Sequence, residues 1–177
     1  QTMPLPVGTP MGPKTGFKSL FEDAADNLDI VKDQIRVAGR MGATGMVVHL
    51  VDMKQTEAYA SLVLYAREHA PGLKIAFENT YDKSKKFPTA AEFMVAFKEI
   101  AEKVAGKDPL ALNNLGLLLD TAHYNLSGED PLVSAYTIAG ELDDIAKTYG
   151  MDKKDLLWEL HINQNIGPIG FFTGFSP

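Results

Sequence analysis

Short apolar runs alternate with amphipathic segments along most of the chain. Four of the runs have the length and residue types of buried strands: GMVVHLV from Gly45, LKIAFE from Leu73, LGLLLD from Leu115 and LLWELHI from Leu156. The third run is apolar up to its last residue, which is typical of a strand covered on both faces. The pattern therefore predicts four strands.

The segments between these runs have helical periodicity or helix-end signals. In the first segment, Leu28, Val31 and Ile35 recur at three- and four-residue intervals. In the third, Thr89 and Glu92 form a capping-box pattern, in which each side chain bonds to the backbone N–H of the other residue. The sequence predicts four helices, over residues 20–41, 55–69, 89–104 and 131–149.

Helix and strand alternate four times, which predicts an α/β fold with a parallel sheet. Doubly wound sheets and (β/α)₈ TIM barrels both fit this order. A barrel is favoured because no glycine-rich phosphate loop follows any strand. A whole barrel takes about 250 residues, so four parallel strands make a partial TIM barrel, and a second chain or a missing segment would complete it. We expect residues 1–177 to form a single domain, with an irregular lead-in at 1–16 and an irregular tail at 166–177.

Composition narrows the class of protein. The 177 residues are 45% hydrophobic and 23% charged, which is typical of a globular chain with a sizeable core. The apolar runs are too short to span a membrane, and no signal-peptide pattern is visible, so we expect a cytoplasmic protein without membrane partners. The net charge of -6 argues against non-specific coating of nucleic acid, and the absence of cysteine excludes thiolate chemistry.

Metal-ligand residue types stand at the end of every predicted strand. They are His49, Glu78, Asp120 with His123 three positions later, and His161. The carboxyl ends of parallel strands meet at one edge, where active sites of βα folds lie. Mixed imidazole and carboxylate donors suit a divalent cation, with zinc as the first expectation and manganese or magnesium as alternatives.

Each of these residues also has an ordinary structural explanation. Asp120 is a residue type that caps turns, and His123 could then be a plain loop histidine. Glu78 could be a partly solvated loop residue, and His49 a hydrogen-bonded core histidine. His69 lies in the last turn of a predicted helix, where a cation favours the helix dipole, and we interpret it as structural.

Further polar residues lie near the predicted site. Strand alternation puts Glu159 on the face of His161, where it would orient the imidazole or bind the cation itself, unless it is an exposed edge residue. The loop after Glu78 carries three lysines that would receive phosphate oxygens, although such charge runs are commonly solvated. These are Lys83, Lys85 and Lys86.

The chain resembles the xylose-isomerase-like TIM-barrel superfamily and, within it, endonuclease IV, the family 2 apurinic/apyrimidinic endonucleases. The resemblance runs from about Ile35 to Asn165 and rests on RVAGRMGATGMVVHL, IAFENT, LLLDTAHYNLSGED and ELHIN. It implies a trinuclear zinc cluster and hydrolysis of the phosphodiester on the 5′ side of an abasic site in DNA. It places metal ligands at His49, Glu78, Asp120, His123 and His161, with Glu78 as the carboxylate that bridges two metals.

The chain also departs from this family. Where the family has HLND, this chain has His161, Ile162, Asn163 and Gln164, so the acidic residue is lost while Asn163 is kept and is expected to support His161. The downstream Asp-x-His pair and the histidine of the second barrel strand are absent from the sequence. The chain alone therefore cannot supply all ligands of three metals.

Two other functions fit the same residues. A divalent-metal-dependent sugar isomerase or epimerase of the superfamily would use Glu78, Asp120 and His161 around one cation, with His123 touching a small sugar substrate. In that enzyme His49 has no necessary metal role. A degenerate, non-catalytic barrel subunit is the third interpretation, because of the missing ligands.

Overall fold

The computed structural model describes residues 27–80 and 87–162, in which helices and strands alternate. The strands are β1 Gly45–His49, β2 Lys74–Glu78, β3 Leu115–Asp120 and β4 Leu157–His161. The helices are α1 Leu28–Arg40, α2 Thr56–His69, α3 Ala90–Lys107, α4 Thr121–Ser127, α5 Pro131–Tyr149 and α6 Lys153–Leu156, together with a 3₁₀ helix at Pro109–Asn114.

The four strands and four long helices predicted from the sequence are confirmed within the described ranges. Residues 20–26 of the first predicted helix, the lead-in at 1–16 and the tail at 166–177 lie outside those ranges. The capping box of Thr89 and Glu92 is present at the start of α3, and Gly150 ends α5 with a left-handed φ of 67°. No helix within 27–80 or 87–162 is long and apolar enough to cross a membrane.

Three short helical elements were not predicted. The 3₁₀ helix, α4 and α6 each begin at an aspartate whose side chain accepts a backbone N–H, namely Asp108, Asp120 and Asp152. Their lengths are six, seven and four residues. Such short segments do not show a helical period, so apolar spacing could not reveal them.

All four strands are parallel, and their order in the sheet is the order in the chain, β1-β2-β3-β4. The predicted α/β fold with a parallel sheet is confirmed. The register pairs His49 with Glu78 across β1 and β2, and Asp120 with His161 across β3 and β4. We call the edge where these four residues lie the carboxyl edge, and the opposite edge, where the strands begin, the amino edge.

One face of the sheet forms the hydrophobic core with the helices. Val48, Ile75, Phe77 and Leu117 on the strands belong to the same buried cluster as residues of α1, α2, α3 and α5. Alternate positions point to the other face. The side chains there differ in exposure: Leu118 is fully buried, whereas Val47 is 42% exposed.

Trp158 fills the amino half of this second face. The register of β3 and β4 pairs Leu117 with Leu157 and then Leu118 with Glu159, so Trp158 is the extra residue of a β-bulge. Bulges of this kind redirect side chains. A Cβ atom at Gly45 would lie 2.5 Å from Cε2 of the indole, and one at Gly116 would lie 3.2 Å from Trp158 Cβ. The two glycines therefore make room for the indole across the sheet.

Candidate metal centre

The carboxyl edge brings together the five residues predicted as metal ligands. His49, Glu78, Asp120 and His161 are the last residues of β1 to β4, and His123 lies in the first turn of α4. Glu78 and Asp120 are 7% and 6% exposed. Two buried carboxylates require positive or hydrogen-bonding partners, because an isolated buried charge is costly. The partners available at this edge are imidazoles.

Glu78 lies between two histidines. Its Oε2 is 3.1 Å from Nε2 of His49, and its Oε1 is 3.7 Å from Nδ1 of His123. The strand register explains the first contact, because His49 and Glu78 are direct partners on β1 and β2. The two oxygens of one carboxylate therefore face two different imidazoles.

Asp120 has one oxygen directed to the backbone and one to the histidines. Its Oδ1 accepts the N–H of Ala122 at 2.8 Å and caps α4. Its Oδ2 lies 3.7 Å from Nδ1 of His161 and 3.9 Å from Nε2 of His123. The capping explanation of Asp120 is therefore correct for Oδ1, and the same residue also presents Oδ2 to the imidazoles.

His123 is held by two contacts besides those to carboxylates. Its Nδ1 hydrogen-bonds with the backbone carbonyl of Asn79. The ring of Phe87 lies 5.1 Å from the imidazole, centroid to centroid, with a tilt of 33°. His123 is thus a fixed, mostly buried residue of α4, and the alternative of a plain loop histidine is wrong.

Glu159 contacts His161 from the same strand. Its Oε1 is 3.1 Å from Nε2 of His161, as the alternation of strand faces predicts. Both side chains are partly exposed, at 47% for Glu159 and 40% for His161. The carboxylate contacts one ring nitrogen, so Nδ1 is the nitrogen that faces Asp120.

The donor atoms of Glu78, Asp120 and His161 all lie within 4.8 Å of one another, and this group could hold a metal ion. Two ligand atoms on a tetrahedral zinc ion are about 3.3 Å apart, given zinc–ligand distances of about 2.0–2.1 Å. The separations at the carboxyl edge reach up to 4.8 Å, so the three side chains would move closer together to bind one ion. The donor types fit zinc, and also manganese or magnesium.

Some predicted site residues are not at this edge or are not described. Lys83, Lys85 and Lys86, predicted to receive phosphate, and Asn163, predicted to support His161, lie outside the described residues. His69 ends α2, with its ring 4.1 Å from that of Tyr65. This position fits the structural role predicted for it.

Two residues at the carboxyl edge were not predicted as site residues, Asn79 and Phe87. Asn79 is 1% exposed, and its side chain both donates to the carbonyl of Asp120 and accepts the N–H of Asp120. The sequence does contain one indication of its role, because Asn79 directly follows the last residue of a mostly apolar strand. Phe87 follows a polar loop, and its contact with His123 has no signature in the sequence.

Searches of the chain against protein-family models, curated proteins and solved structures find no match.

Proposed function

We propose that this chain is part of a (β/α)₈ barrel that binds divalent cations and hydrolyses phosphodiester bonds at abasic sites in DNA. The observation that carries the proposal is the position of Glu78. Its Oε2 faces His49 and its Oε1 faces His123, and one of its oxygens lies within 4.8 Å of donor atoms of Asp120 and His161. A carboxylate between one imidazole and a group of further donors is suited to bridge two cations, and such pairs of cations serve phosphoryl transfer.

The strand order supports the barrel. The order β1-β2-β3-β4 follows the chain without reversal, and the long helices pack against one face of the sheet. A doubly wound sheet reverses its strand order and carries helices on both faces. Successive βα units that advance in one direction, with helices outside, build a barrel, whose active site lies at the carboxyl ends of the strands.

The number of donors supports more than one cation. Five ligand-type side chains meet at the carboxyl edge, whereas a single catalytic zinc ion commonly takes three protein ligands and keeps one open position. Divalent ions bound here would lower the pKa of a bound water and stabilise charge on phosphoryl oxygens. Glu78 would set the separation of the two sets of donors. Asp120 and His123 are held in place by their bonds to the backbone.

A sugar isomerase or epimerase is the second candidate, and a specific observation favours it. Only Glu78, Asp120 and His161 among the described residues form a group with all donor atoms within 4.8 Å, which is a single-cation arrangement. His123, whose ring lies beside that of Phe87, would then contact the substrate. In this enzyme His49 is dispensable for metal binding.

His49 therefore separates the two candidates. The test incubates the full chain and Zn²⁺ with a DNA duplex that contains one abasic site, and compares wild type with His49→Gln, Glu78→Gln and the control His69→Gln. The hydrolase proposal predicts nicking on the 5′ side of the abasic site by wild type and His69→Gln, and its loss in the other two variants. Equal nicking by Glu78→Gln would contradict it.

The same samples test the alternatives. One bound ion per chain and interconversion of ketoses without nicking would favour the isomerase and overturn the hydrolase. A wild-type chain that binds no divalent ion by elemental analysis would overturn both enzymatic functions and favour a non-catalytic barrel subunit.

A further inference from the structure

Asn79 joins the ends of β2 and β3 through its side chain. The backbone pairing of these strands reaches Glu78 and Leu118. Beyond it, Asn79 Nδ2 donates to the carbonyl of Asp120 at 3.2 Å, and Asn79 Oδ1 accepts the N–H of Asp120 at 3.1 Å. The side-chain amide thus reproduces the donor and acceptor of a strand neighbour. Both hydrogen bonds are buried, and a hydrogen bond in a low-dielectric interior is strong and costly to lose.

The same residue contacts His123 through its backbone. A carbonyl oxygen can only accept a hydrogen bond, so His123 must donate to Asn79 from Nδ1. In the neutral imidazole the lone pair then lies on Nε2, the nitrogen 3.9 Å from Asp120 Oδ2. Histidine ligands commonly have their second nitrogen held by a carbonyl or carboxylate in this way, and the bond determines which nitrogen binds the metal.

We propose that Asn79 is a positioning residue of the cation site, which aligns the Asp120 carboxylate and assigns Nε2 of His123 as the ligand atom. This inference rests on the cation site of the proposed function. Asn79 acts through two neighbours: its side chain holds the backbone of Asp120, and its carbonyl holds the ring of His123. It does not touch the reacting atoms itself.

The chain contains a matched control for Asn79. Asn114, at the amino edge, is also 1% exposed, and its Nδ2 donates to the carbonyls of Pro71 at 3.0 Å and Leu73 at 2.8 Å. Both asparagines are buried, and both lie next to a strand and bond to backbone: Asn79 follows the last residue of β2, and Asn114 precedes the first residue of β3. They differ in that only Asn79 contacts a predicted ligand.

The first experiment measures the dissociation constants of Mn²⁺ and Zn²⁺ for wild type, Asn79→Ala, Asn79→Ser and Asn114→Ala. Thermal unfolding is recorded beside each. Loss of a residue that orients metal ligands weakens metal binding about 10- to 100-fold, and we expect this for both Asn79 variants. Asn114→Ala is expected to lower the unfolding temperature and leave both dissociation constants unchanged within about twofold. Asn79→Ser keeps a hydroxyl that can accept the Asp120 N–H and adds no charge, so it is the variant to use should Asn79→Ala fail to fold.

Equal dissociation constants for wild type and a folded Asn79 variant would overturn the inference while leaving the cation site intact. A wild-type chain that binds neither ion would instead overturn the proposed function. The second experiment needs no metal and no variant: ¹⁵N shifts of the metal-free wild type report the tautomer of neutral His123. We expect the proton on Nδ1, and a proton on Nε2 would contradict the assignment.

Discussion

At the amino edge of the sheet, Lys74 and Asn114 donate to backbone carbonyls, whereas at the carboxyl edge Glu78 and Asp120 face imidazole rings. Lys74 Nζ bonds to the carbonyls of Asn113, Leu115 and Asp155. Burial lowers the pKa of Lys74 below its usual range, against a smaller opposite effect of Asp155. The Lys74 ammonium group and the Asn114 Nδ2 group are therefore both bonded to backbone carbonyls.

At the carboxyl edge, His123 and His161 each direct a ring nitrogen at the Asp120 carboxylate. Asp120 gives Oδ1 to the backbone and presents Oδ2 to His161, and His123 gives Nδ1 to the backbone and has Nε2 toward Asp120. Within one sheet, this contrast distinguishes a candidate site from polar residues that only support the backbone. Side chains are suited to bind a ligand when one polar atom bonds to the backbone and another faces neighbouring polar side chains.

The largest expected effect is on cation binding at the carboxyl edge. The double substitution Glu78→Gln and Asp120→Asn keeps shape and capping but removes both charges. We expect Zn²⁺ affinity to fall by more than about 100-fold, beyond the usual effect of residues that only support a ligand. Calorimetric titration measures it. The control Glu99→Gln changes a carboxylate that pairs with Lys103 and accepts a bond from Thr56 but contacts none of the predicted ligands, and it should bind as wild type does.

The next effect is on stability at the amino edge. Gly45→Ala places a Cβ 2.5 Å from the Trp158 ring, so the indole or the strand must shift. Overpacking of this kind costs about 1–3 kcal/mol, measured as the free energy of unfolding in urea. Zn²⁺ affinity should stay at the wild-type value. A large loss of affinity would show that the two edges are coupled.

A smaller loss of stability is expected for Lys74→Met. The variant leaves three carbonyls without the ammonium group, and we expect it to cost about 1–2 kcal/mol because unpaired buried groups are costly and this site is only half-buried. Urea unfolding gives the free energy, and Zn²⁺ titration serves as the second readout. A stability equal to that of wild type would mean that water replaces the lysine at these carbonyls.

The smallest effect is expected from variants that distinguish the roles of the two Asp120 oxygens. Asparagine caps helices as well as aspartate does, so Asp120→Asn should unfold like wild type, whereas Asp120→Ala should lose about 1 kcal/mol. Both variants should bind Zn²⁺ more weakly, because both lose the charge at Oδ2. Wild-type affinity in Asp120→Asn would show that this residue is a cap alone.

Much of this fold could be predicted from the sequence, because long helices and buried strands have apolar spacings that burial enforces. The convergence of His49, Glu78, Asp120 and His161 followed from strand order, since each residue ends a parallel strand. The bulge at Trp158 could not be predicted. It depends on the space that Gly45 and Gly116, distant in the chain, leave on the sheet.

The supporting residues of the site were also beyond sequence reasoning. Asn79 bonds to Asp120, which is 41 positions away in the sequence. The spacing of apolar residues does not indicate which partner a polar side chain has. Phe87 and His123 meet only because α3 and α4 begin near the same edge. Contacts of this kind are set by tertiary packing, which single-sequence patterns do not contain.

Equilibrium dialysis against Zn²⁺ tests the claim that the carboxyl edge is a divalent cation site organised by Glu78. Metal content per chain is measured for wild type, Glu78→Gln and the control Glu99→Gln. We expect more than one bound ion per chain in wild type and in Glu99→Gln, and fewer in Glu78→Gln. A wild-type chain without bound zinc, or a Glu78→Gln variant that retains all of it, would contradict the claim.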